Sequence, residues 1–375
     1  MAAAVNYNWG TTPDASVFGS AQPAGIASPT RLATSAPFAR YLYESIYERS
    51  LFVQSGVLAL DSRLNNITGS RVELPFFDIF EPSEEVVNSS ATWGDNTKGY
   101  YTSQKITAST QYEPYCTRGF MHSMDDLSQY QTNENALAHI RTQLSEAINK
   151  HQTAKLVSQL EGIFETALAA NSVDISEATA GSEGDANMFS LQNVINAQYL
   201  LGERAQELTT IVVHPKVAAQ LQLQGQLTFS SPAGIQPSSA LQWGGGGIGV
   251  SNTLIGFYNG FKVIVDSQVP VLGDATENAQ FVSYMFGEGV IRTGSQFPIK
   301  IETERNIASL QDSMAVTYSQ IHHIVGTSWK ATTDHPTNTQ LATKGNWELA
   351  YTDPRNVHAV RLVSNVNGGG VIPTP

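Results

Sequence analysis

Two segments with alternating side chains, separated by a polar stretch, constrain the fold of this chain more than any other feature. Apolar side chains at every second position in residues 71–80 are typical of a β-strand. Pro75 restricts that strand to a sheet edge or an isolated hairpin, because proline has no N–H to donate. A second alternating run covers residues 101–111. Together, residues 68–111 predict a long two-stranded hairpin with a wide tip, whose arms reach several nanometres at about 3.3 Å per residue.

Such a hairpin needs a surface to lie on, because an isolated two-stranded hairpin is only marginally stable in water. That surface belongs either to the hairpin's own domain or to an adjacent subunit. The N-terminal arm, residues 1–36, has a similar requirement. It is rich in small and turn-forming residues and cannot bury enough apolar surface to be ordered alone. We therefore expect neighbouring subunits to hold the arm in place.

Helical patterns flank the hairpin on both sides. Residues 37–67 form an N-terminal helix region, in which apolar side chains recur at helical spacing from residue 38 to about 54. A longer helix is predicted from Thr132 or Asn133, either of which can cap it, to about residue 170. Nearly forty residues would make a rod of roughly 57 Å. Its apolar stripe drifts and keeps no heptad, which favours a structural spine over a coiled coil.

The second half of the chain mixes short helices with many strands. Residues 172–187 read as a linker, and 225–249, with four consecutive glycines, as a mobile stretch. Ser190 is predicted to cap a helix, and another helix is expected over residues 216–224. Strands are predicted at 209–213, 261–265, 281–286, 299–303, 313–325, 346–349 and 358–363, before a tail at 367–375. Grouped strands and helices without regular βαβ alternation indicate an α+β fold.

Composition narrows the class of protein. Charged residues make up only 14% of the chain, where about 25% is usual, which suits a surface largely covered by partners. The net charge of −12 argues against coating nucleic acid directly. The single cysteine, Cys116, excludes an internal disulfide and any multi-cysteine zinc site. No run approaches the ~18 apolar residues of a membrane helix, so we expect no membrane partner.

The N-terminus lacks a basic region followed by an apolar run, so no signal peptide is expected. Because the chain begins at Met1, we also expect that no N-terminal propeptide is removed and that any scaffolding protein is separate. These features indicate a soluble protein made in a reducing cytoplasm.

Strings that resemble catalytic or binding motifs lack the context that the chemistry requires. Gly244, Gly246 and Gly249 have the dinucleotide spacing, but no strand precedes them and no helical pattern follows, which favours a flexible loop. The neighbouring His322 and His323 would point to opposite faces of a strand, one packed and one solvated, and could not chelate one metal ion.

The remaining candidates are isolated as well. His214-Pro215 and His335-Pro336 have no second ligand at metal spacing. The acidic pairs Glu84-Glu85 and Asp125-Asp126 favour solvated turns, and Cys116, without a histidine neighbour, favours a small core residue. The sequons at Asn66 and Asn88 have no meaning without secretion. We therefore predict no catalytic, cofactor-binding or metal-binding residue, and no enzyme.

The order of elements resembles that of the Hong Kong 97-type major capsid proteins of tailed phages: N-terminal arm, long hairpin, spine helix, mixed α/β region. Four strings are also similar to that family, and all lie within residues 37–330, the span of the likeness. They are a strand, His-Pro turn and helix at 210–221; a glycine, strand, polar turn and proline at 256–270; and the strands at 284–292 and 312–325.

The resemblance implies a division of the chain into an N-terminal arm (1–36), a helix region (37–67), an extended E-loop (68–111), a peripheral domain around the spine helix (112–185, with return strands 298–330) and an axial domain (186–297). Residues 331–375, with C-terminal strands and a tail, exceed the family pattern. Some relatives join subunits by lysine–asparagine bonds, and Lys98 and Lys105 lie on the hairpin, but nothing in the sequence supports that chemistry here.

The resemblance also implies hexamers and pentamers that close into an icosahedral shell around phage double-stranded DNA, without sequence-specific binding. It implies scaffolding, cement and portal proteins as possible partners, and a virion capsid assembled in the bacterial host cytoplasm. Two alternatives of different kinds remain open. One is an encapsulin-like cellular compartment with enzyme cargo, and the other is a soluble α+β enzyme whose catalytic residues are dispersed in sequence.

Overall fold

The computed structural model describes residues 50–65, 69–77, 108–125, 136–177, 184–229, 255–273 and 279–366. Within these ranges the chain forms both helices and strands. The helices are α1 (Leu51–Gln54), α2 (Ala136–Glu165), α3 (Leu191–Gln198), α4 (Pro215–Leu223) and α5 (Asn338–Ala342). Short 3-10 turns lie at Ser62–Leu64, Ala169–Asn171, Asp185–Asn187, Tyr199–Glu207 and Pro354–Asn356.

Seventeen strands lie in the described ranges. They are β1 (Leu58–Leu60), β2 (Arg71–Phe77), β3 (Ala108–Pro114), β4 (Cys116–Asp125), β5 (Ser172–Asp174), β6 (Leu208–Val213), β7 (Thr228–Phe229), β8 (Ile255–Tyr258), β9 (Phe261–Val265), β10 (Val271–Leu272), β11 (Gln280–Gly287), β12 (Ile291–Gly294), β13 (Lys300–Asn306), β14 (Gln311–Ile324), β15 (Thr327–Trp329), β16 (Trp347–Leu349) and β17 (Ala359–Ser364). None of the described helices is both long and apolar enough to cross a membrane.

The described residues divide into two compact units. The smaller unit contains residues 119–125, 136–144 and 299–317, and the larger unit contains the rest. In the smaller unit, β13 pairs antiparallel with the first half of β14, from Lys300 opposite Thr317 to Asn306 opposite Gln311. An Arg305–Asp312 ion pair of 3.1 Å closes the turn end of this pairing.

An eight-stranded sheet forms the centre of the larger unit. Its strand order is β5-β17-β11-β6-β9-β8-β7, with β10 also paired to β11. Most residues of β6, β11 and β17 are buried. Alternate residues of these strands enter two different apolar clusters: Val212 and Tyr284 lie in one, and Ile211 and Met285 lie in the other. The sheet is therefore covered on both faces, which explains why its central strands are apolar throughout.

Different helices supply the two covering layers. The cluster on one face includes α2 residues such as Leu160 and Phe164, whereas the other includes Val194 of α3 and Val217 of α4. The caps of α3 and α4 follow from sequence. The Ser190 hydroxyl accepts from the backbone N–H of Asn193, and α4 begins with proline, whose missing N–H would be unpaired there in any case.

Two sequence-based predictions of element bounds were wrong. The long helix ends at Glu165 rather than near residue 170, and its 30 described residues span about 45 Å. A turn at 166–168 and the 3-10 turn Ala169–Asn171 follow it. Residues 172–174, predicted as part of a linker, form β5, which pairs parallel with β17. That partner lies about 190 residues away, so no local signal reports the pairing.

The predicted strands of the second half are confirmed with small shifts in their bounds, as is the mixture of helices and strands. The structure also places part of the C-terminal segment that exceeded the expected pattern. Strand β17 lies between β5 and β11, and its antiparallel register with β11 runs from Phe281 opposite Ser364 to Phe286 opposite Ala359. A strand from the C-terminal part of the described residues therefore lies inside the eight-stranded sheet.

Candidate functional site

Strands β2 and β3 form a separate two-stranded sheet, as Pro75 predicted. They pair antiparallel from Arg71 opposite Pro114 to Phe77 opposite Ala108. Pro75 lies opposite Thr110 and interrupts the ladder on the β2 side. The base of the predicted hairpin is thus present, whereas residues 78–107, which contain its tip, Lys98 and Lys105, lie outside the described residues.

Burial along this ribbon falls from its base toward its far end. At the base, Val72, Gln111 and Glu113 are buried. At the other end, the Phe77 side chain is 76% exposed, and Ala108 and Ser109 beside it are exposed as well. The exposed Phe77 ring therefore marks the end of the described ribbon that the body of the larger unit does not cover.

Apolar contacts fix the base of the ribbon to the body of the larger unit. Val72, Leu64, Tyr115 and Ile321 form a small buried cluster, in which the Tyr115 hydroxyl donates to the carbonyl oxygen of Leu64 at 2.8 Å. The Phe76 ring meets the Tyr351 ring edge-on, at 5.4 Å between centroids. Phe76 and Phe77 are neighbours in sequence, so strand alternation directs one toward the body and the other away from it.

A polar cluster lies buried directly beneath the ribbon. The His323 ring of β14 contacts two residues of β3: Nδ1 lies 3.2 Å from Glu113 Oε2, and Nε2 lies 2.7 Å from Gln111 Oε1. Gln159 of α2 donates from Nε2 to Glu113 Oε1 at 3.0 Å and to the carbonyl oxygen of His322 at 2.7 Å. The cluster joins the hairpin base to the long helix and the long strand.

Burial controls the charges in this cluster. It raises the pKa of the Glu113 carboxyl, against the hydrogen bond from His323 and the nearby Lys155, which lower it. Burial also lowers the pKa of the Lys155 ammonium, against Cys116 and Glu113, which raise it. Lys155 Nζ donates to the carbonyl oxygen of Gln320 at 2.7 Å. Charges buried at this depth require partners, and the cluster supplies them from three elements.

The prediction for the histidine pair was partly wrong. His322 and His323 do have different surroundings, but neither is solvated, since each is only 2% exposed. The part of β14 that carries them is buried almost throughout, because the hairpin base and α2 cover it. His322 lines a small cleft with Phe52, Gln152 and Leu156, and burial holds its pKa well below the usual range.

Each of the other sequence candidates in the described residues has contacts of its own. His214 caps α4 by accepting from the Lys216 N–H, and its ring contacts Phe281. His335 Nδ1 lies 3.0 Å from the carbonyl oxygen of Tyr115. Cys116 is a buried core residue, as predicted. Several candidates lie outside the described residues: the glycines at 244, 246 and 249, the pair Glu84-Glu85, Asp126, and the sequons at Asn66 and Asn88.

Sequence reasoning missed the residues that build the buried cluster. Lys155 and Gln159 stand four positions apart on α2, beside the apolar Leu156 and Leu160, and this placement of polar residues on a buried helix face was the available signal. Among the described residues, no three histidine, cysteine or acidic side chains come together to hold a metal ion. The geometry supports anchoring of the hairpin.

Comparison with known proteins gives one clear sequence relative. The chain is 25% identical over 339 residues to the major capsid protein of Bacillus phage SPP1, covering 87% of this chain and 94% of the relative. No protein-family model matches the sequence.

Solved structures share the fold at lower sequence identity. One is described as the cyanophage Pam1 capsid asymmetric unit, with a TM-score of 0.54, 11% identity and coverage of 86% of this chain and 93% of that chain. Another, the capsid of Ralstonia phage GP4, has a TM-score of 0.50, 8% identity and coverage of 88% and 93%. Both likenesses extend over most of the two chains compared.

Proposed function

The chain is similar to the major capsid proteins of tailed phages, and it shares an α+β fold with phage capsid subunits; from this premise we propose that it is the structural subunit of a phage shell. Copies of the chain would form hexamers and pentamers that close into an icosahedral particle around double-stranded DNA. The observation that carries this proposal is the sequence likeness to a phage major capsid protein over nearly the full length of both chains.

We assign the elements to the Hong Kong 97-type arrangement as part of the same proposal. The β2–β3 ribbon would be the base of the E-loop, and α2 the spine helix of the peripheral domain. The eight-stranded sheet with α3 and α4 would form the core of the axial domain. The order of these elements along the chain and the two-stranded state of the ribbon support the assignment.

Assembly would proceed through head-to-tail contacts between copies, which generate rings when the rotation closes. The exposed Phe77 end of the ribbon and the N-terminal arm would each cover a neighbouring subunit. Free backbone groups on ribbon edges pair readily with strands of another chain. Each contact can be modest, because a subunit in a closed shell is held by many contacts at once.

The charge of the chain suits a container for DNA. A net charge of −12 repels the phosphate backbone, so packaged DNA would not adhere to the wall. The subunit would have no catalytic role of its own. Scaffolding, cement and portal proteins would be its partners in a particle assembled in the bacterial host cytoplasm.

Negative-stain microscopy of the purified chain tests the proposal, with a variant lacking residues 1–36 beside it. We expect shells of uniform size from the intact chain. From the truncated chain we expect soluble subunits that keep their circular dichroism spectrum but form no stable particles. An intact chain that remains a compact monomer under all assembly conditions would refute the proposed function, and normal particles from the truncated chain would refute the role of the arm.

The contents of particles recovered from cells separate the phage shell from an encapsulin-like compartment. We expect double-stranded DNA, because the sequence relative is a phage protein. A protein cargo without DNA would favour the cellular compartment instead. Genes for terminase and portal proteins beside this one would agree with the first outcome, and a cargo enzyme gene would agree with the second.

A further inference from the structure

The hydrogen bonds around His323 define how many protons the buried cluster holds. Gln111 presents its carbonyl oxygen, an acceptor, to His323 Nε2 at 2.7 Å, so Nε2 must carry a hydrogen. Nδ1 faces a carboxylate oxygen of Glu113 at 3.2 Å. One proton between these two atoms makes a hydrogen bond, whether it resides on the carboxyl group or on the ring. Without this proton, the lone pairs of His323 Nδ1 and Glu113 Oε2 face each other and repel. With a second proton, both atoms carry a hydrogen and neither can accept.

We propose that Glu113 and His323 share a single proton, and that this proton fixes the base of the β2–β3 ribbon to α2 and β14. The site binds a proton because only the one-proton state satisfies every atom of the pair. Gln159 donates to the other carboxylate oxygen in that state, and its second contact, to the carbonyl oxygen of His322, ties the pair to α2. This proposal concerns the isolated subunit and does not depend on shell formation.

Because the pair is buried, the number of protons it holds affects the stability of the ribbon base. Glu113 and His323 are each 2% exposed, so water cannot replace a lost hydrogen bond between them. The charged group that acts on the Glu113 carboxyl from outside the pair is Lys155 of α2. Lys155 itself interacts with Cys116 and Arg118 of β4 and with His322 of β14. Lys155 favours ionised Glu113, whereas burial of the carboxyl opposes that ionisation.

The sign of the pH dependence follows from the unfolded chain. There, the carboxyl loses its proton near pH 4.5 and the imidazole near pH 6.5, so above that pH the unfolded pair holds almost none. The folded pair still holds one. Stability from the shared proton is therefore present between these two values and declines as pH rises above about 6.5. In alkaline solution the equilibrium constant for opening the ribbon base would rise about tenfold per pH unit while the folded pair keeps its proton.

Hydrogen exchange of unassembled subunits between pH 6 and pH 9 tests the inference. The readout is the protection factor of the amides of β3, corrected for intrinsic exchange, with β11 amides as an internal reference. In the unchanged protein we expect β3 protection to fall about tenfold per pH unit above about pH 6.5, for as long as the folded pair keeps its proton. In Glu113→Gln the amide supplies a fixed hydrogen to Nδ1, so protection should stay constant relative to β11.

Two outcomes would overturn the proposal. The first is an equal pH dependence of β3 protection in the unchanged protein and in Glu113→Gln. The second needs only the unchanged protein, so it remains available if the variant fails to fold. It is a set of nitrogen NMR shifts at pH 7 that show a neutral His323 ring protonated only at Nδ1, beside an ionised Glu113 carboxylate. We expect instead a ring protonated at Nε2 with one further proton shared between Nδ1 and the carboxyl group.

Discussion

Gly162 lies in the interior of α2, where alanine is ordinarily the better residue by about 1 kcal/mol. Here the segment around α5 crosses the helix so closely that a Cβ at this position would run into the carbonyl oxygen of Leu341 and the indole of Trp347. These two groups are already joined, since Trp347 Nε1 donates to that carbonyl at 2.8 Å. The missing side chain is what admits the crossing.

Replacing Gly162 by alanine should therefore destabilise the subunit, against the helix propensity scale. Overpacking of a buried contact costs about 1–3 kcal/mol and the better helix propensity returns about 1 kcal/mol, so we expect a net loss of up to about 2 kcal/mol in the free energy of unfolding. Urea unfolding followed by circular dichroism measures it. Gly184→Ala is the control for the glycine-to-alanine change itself, because its Cβ would meet nothing closer than 3.8 Å and should not lower the midpoint. A more stable Gly162→Ala variant would contradict the close crossing.

His322 predicts a response to acid. Burial, with Lys155 nearby, holds its folded pKa well below 6.5, and neither ring nitrogen has a hydrogen-bond partner among the described residues. Below pH 6.5 the unfolded ring takes up a proton that the folded ring refuses, so stability is lost as pH falls. Between pH 7.5 and 5.5 this group should cost about 1.4 kcal/mol.

The measurement is the difference in urea midpoint between these two pH values, compared across variants. His322→Gln should lose the contribution of this residue to the acid sensitivity, whereas His151→Gln, at an exposed position of α2, should keep it. Equal acid sensitivity in the unchanged protein and both variants would show that the His322 ring titrates freely in the folded state.

At the scale of elements, the β2–β3 ribbon gives two neighbouring residues separate tasks. The Phe76 ring packs edge-on against Tyr351, within the same subunit. Phe77, on the other face, is mostly exposed. One face of the ribbon packs on the larger unit, and the other is available for a neighbouring subunit. Substitution of Phe76 should therefore affect the stability of the subunit, and substitution of Phe77 should affect assembly.

We expect Phe77→Asp to leave the unfolding free energy of the subunit within about 0.5 kcal/mol, as for other exposed positions, while sharply reducing the yield of particles. Phe76→Asp should instead destabilise the isolated subunit by about 2–3 kcal/mol, because it places a charge at a ring contact. Thermal unfolding of subunits and particle counts by microscopy separate the effects. Particles of normal yield from Phe77→Asp would mean that this face is not an assembly contact.

Local patterns predicted elements better than they predicted partners. The alternation in residues 71–77 and the proline within it predicted the isolated ribbon, because both features act on the backbone of the strand itself. Ser190 likewise predicted the start of α3, because its side chain bonds to the backbone of the first helical turn. The pairing of Ser172–Asp174 with β17 and the burial of His323 beneath Glu113 depend on residues far apart in sequence. Periodicity carries no information about such contacts. The polar Lys155 and Gln159 on an apolar face of α2 indicated a buried polar site, but not its partners on β3 and β14.

At the scale of the whole molecule, the position of β17 matters most. It pairs with β5 on one side and with β11 on the other, and Ala359, Val360, Leu362 and Val363 are almost fully buried. Both apolar clusters around the sheet include residues of this strand. Removing it would expose the backbone of β11 and open the two cores together.

A chain that ends at His358 should therefore fail to give soluble subunits. It loses Ala359 and three larger buried side chains worth about 1.5–3 kcal/mol each, against a total stability of about 5–15 kcal/mol. A chain that ends at Val366 keeps β17 and is expected to remain soluble. Soluble expression and size-exclusion chromatography measure the difference. Folded, monodisperse subunits from the shorter chain would show that the sheet closes without its late strand.

The place of β17 between two earlier strands also has a consequence for timing. Strand β17 leaves the ribosome about 70 residues after β11 and about 185 residues after β5, so both strands wait for their common neighbour during synthesis. Nascent chains on one messenger lie close together, where half-built sheets could pair with each other. Because the eight-stranded sheet gains β17 only after this delay, association with other copies would follow the synthesis of residues 359–364 rather than precede it.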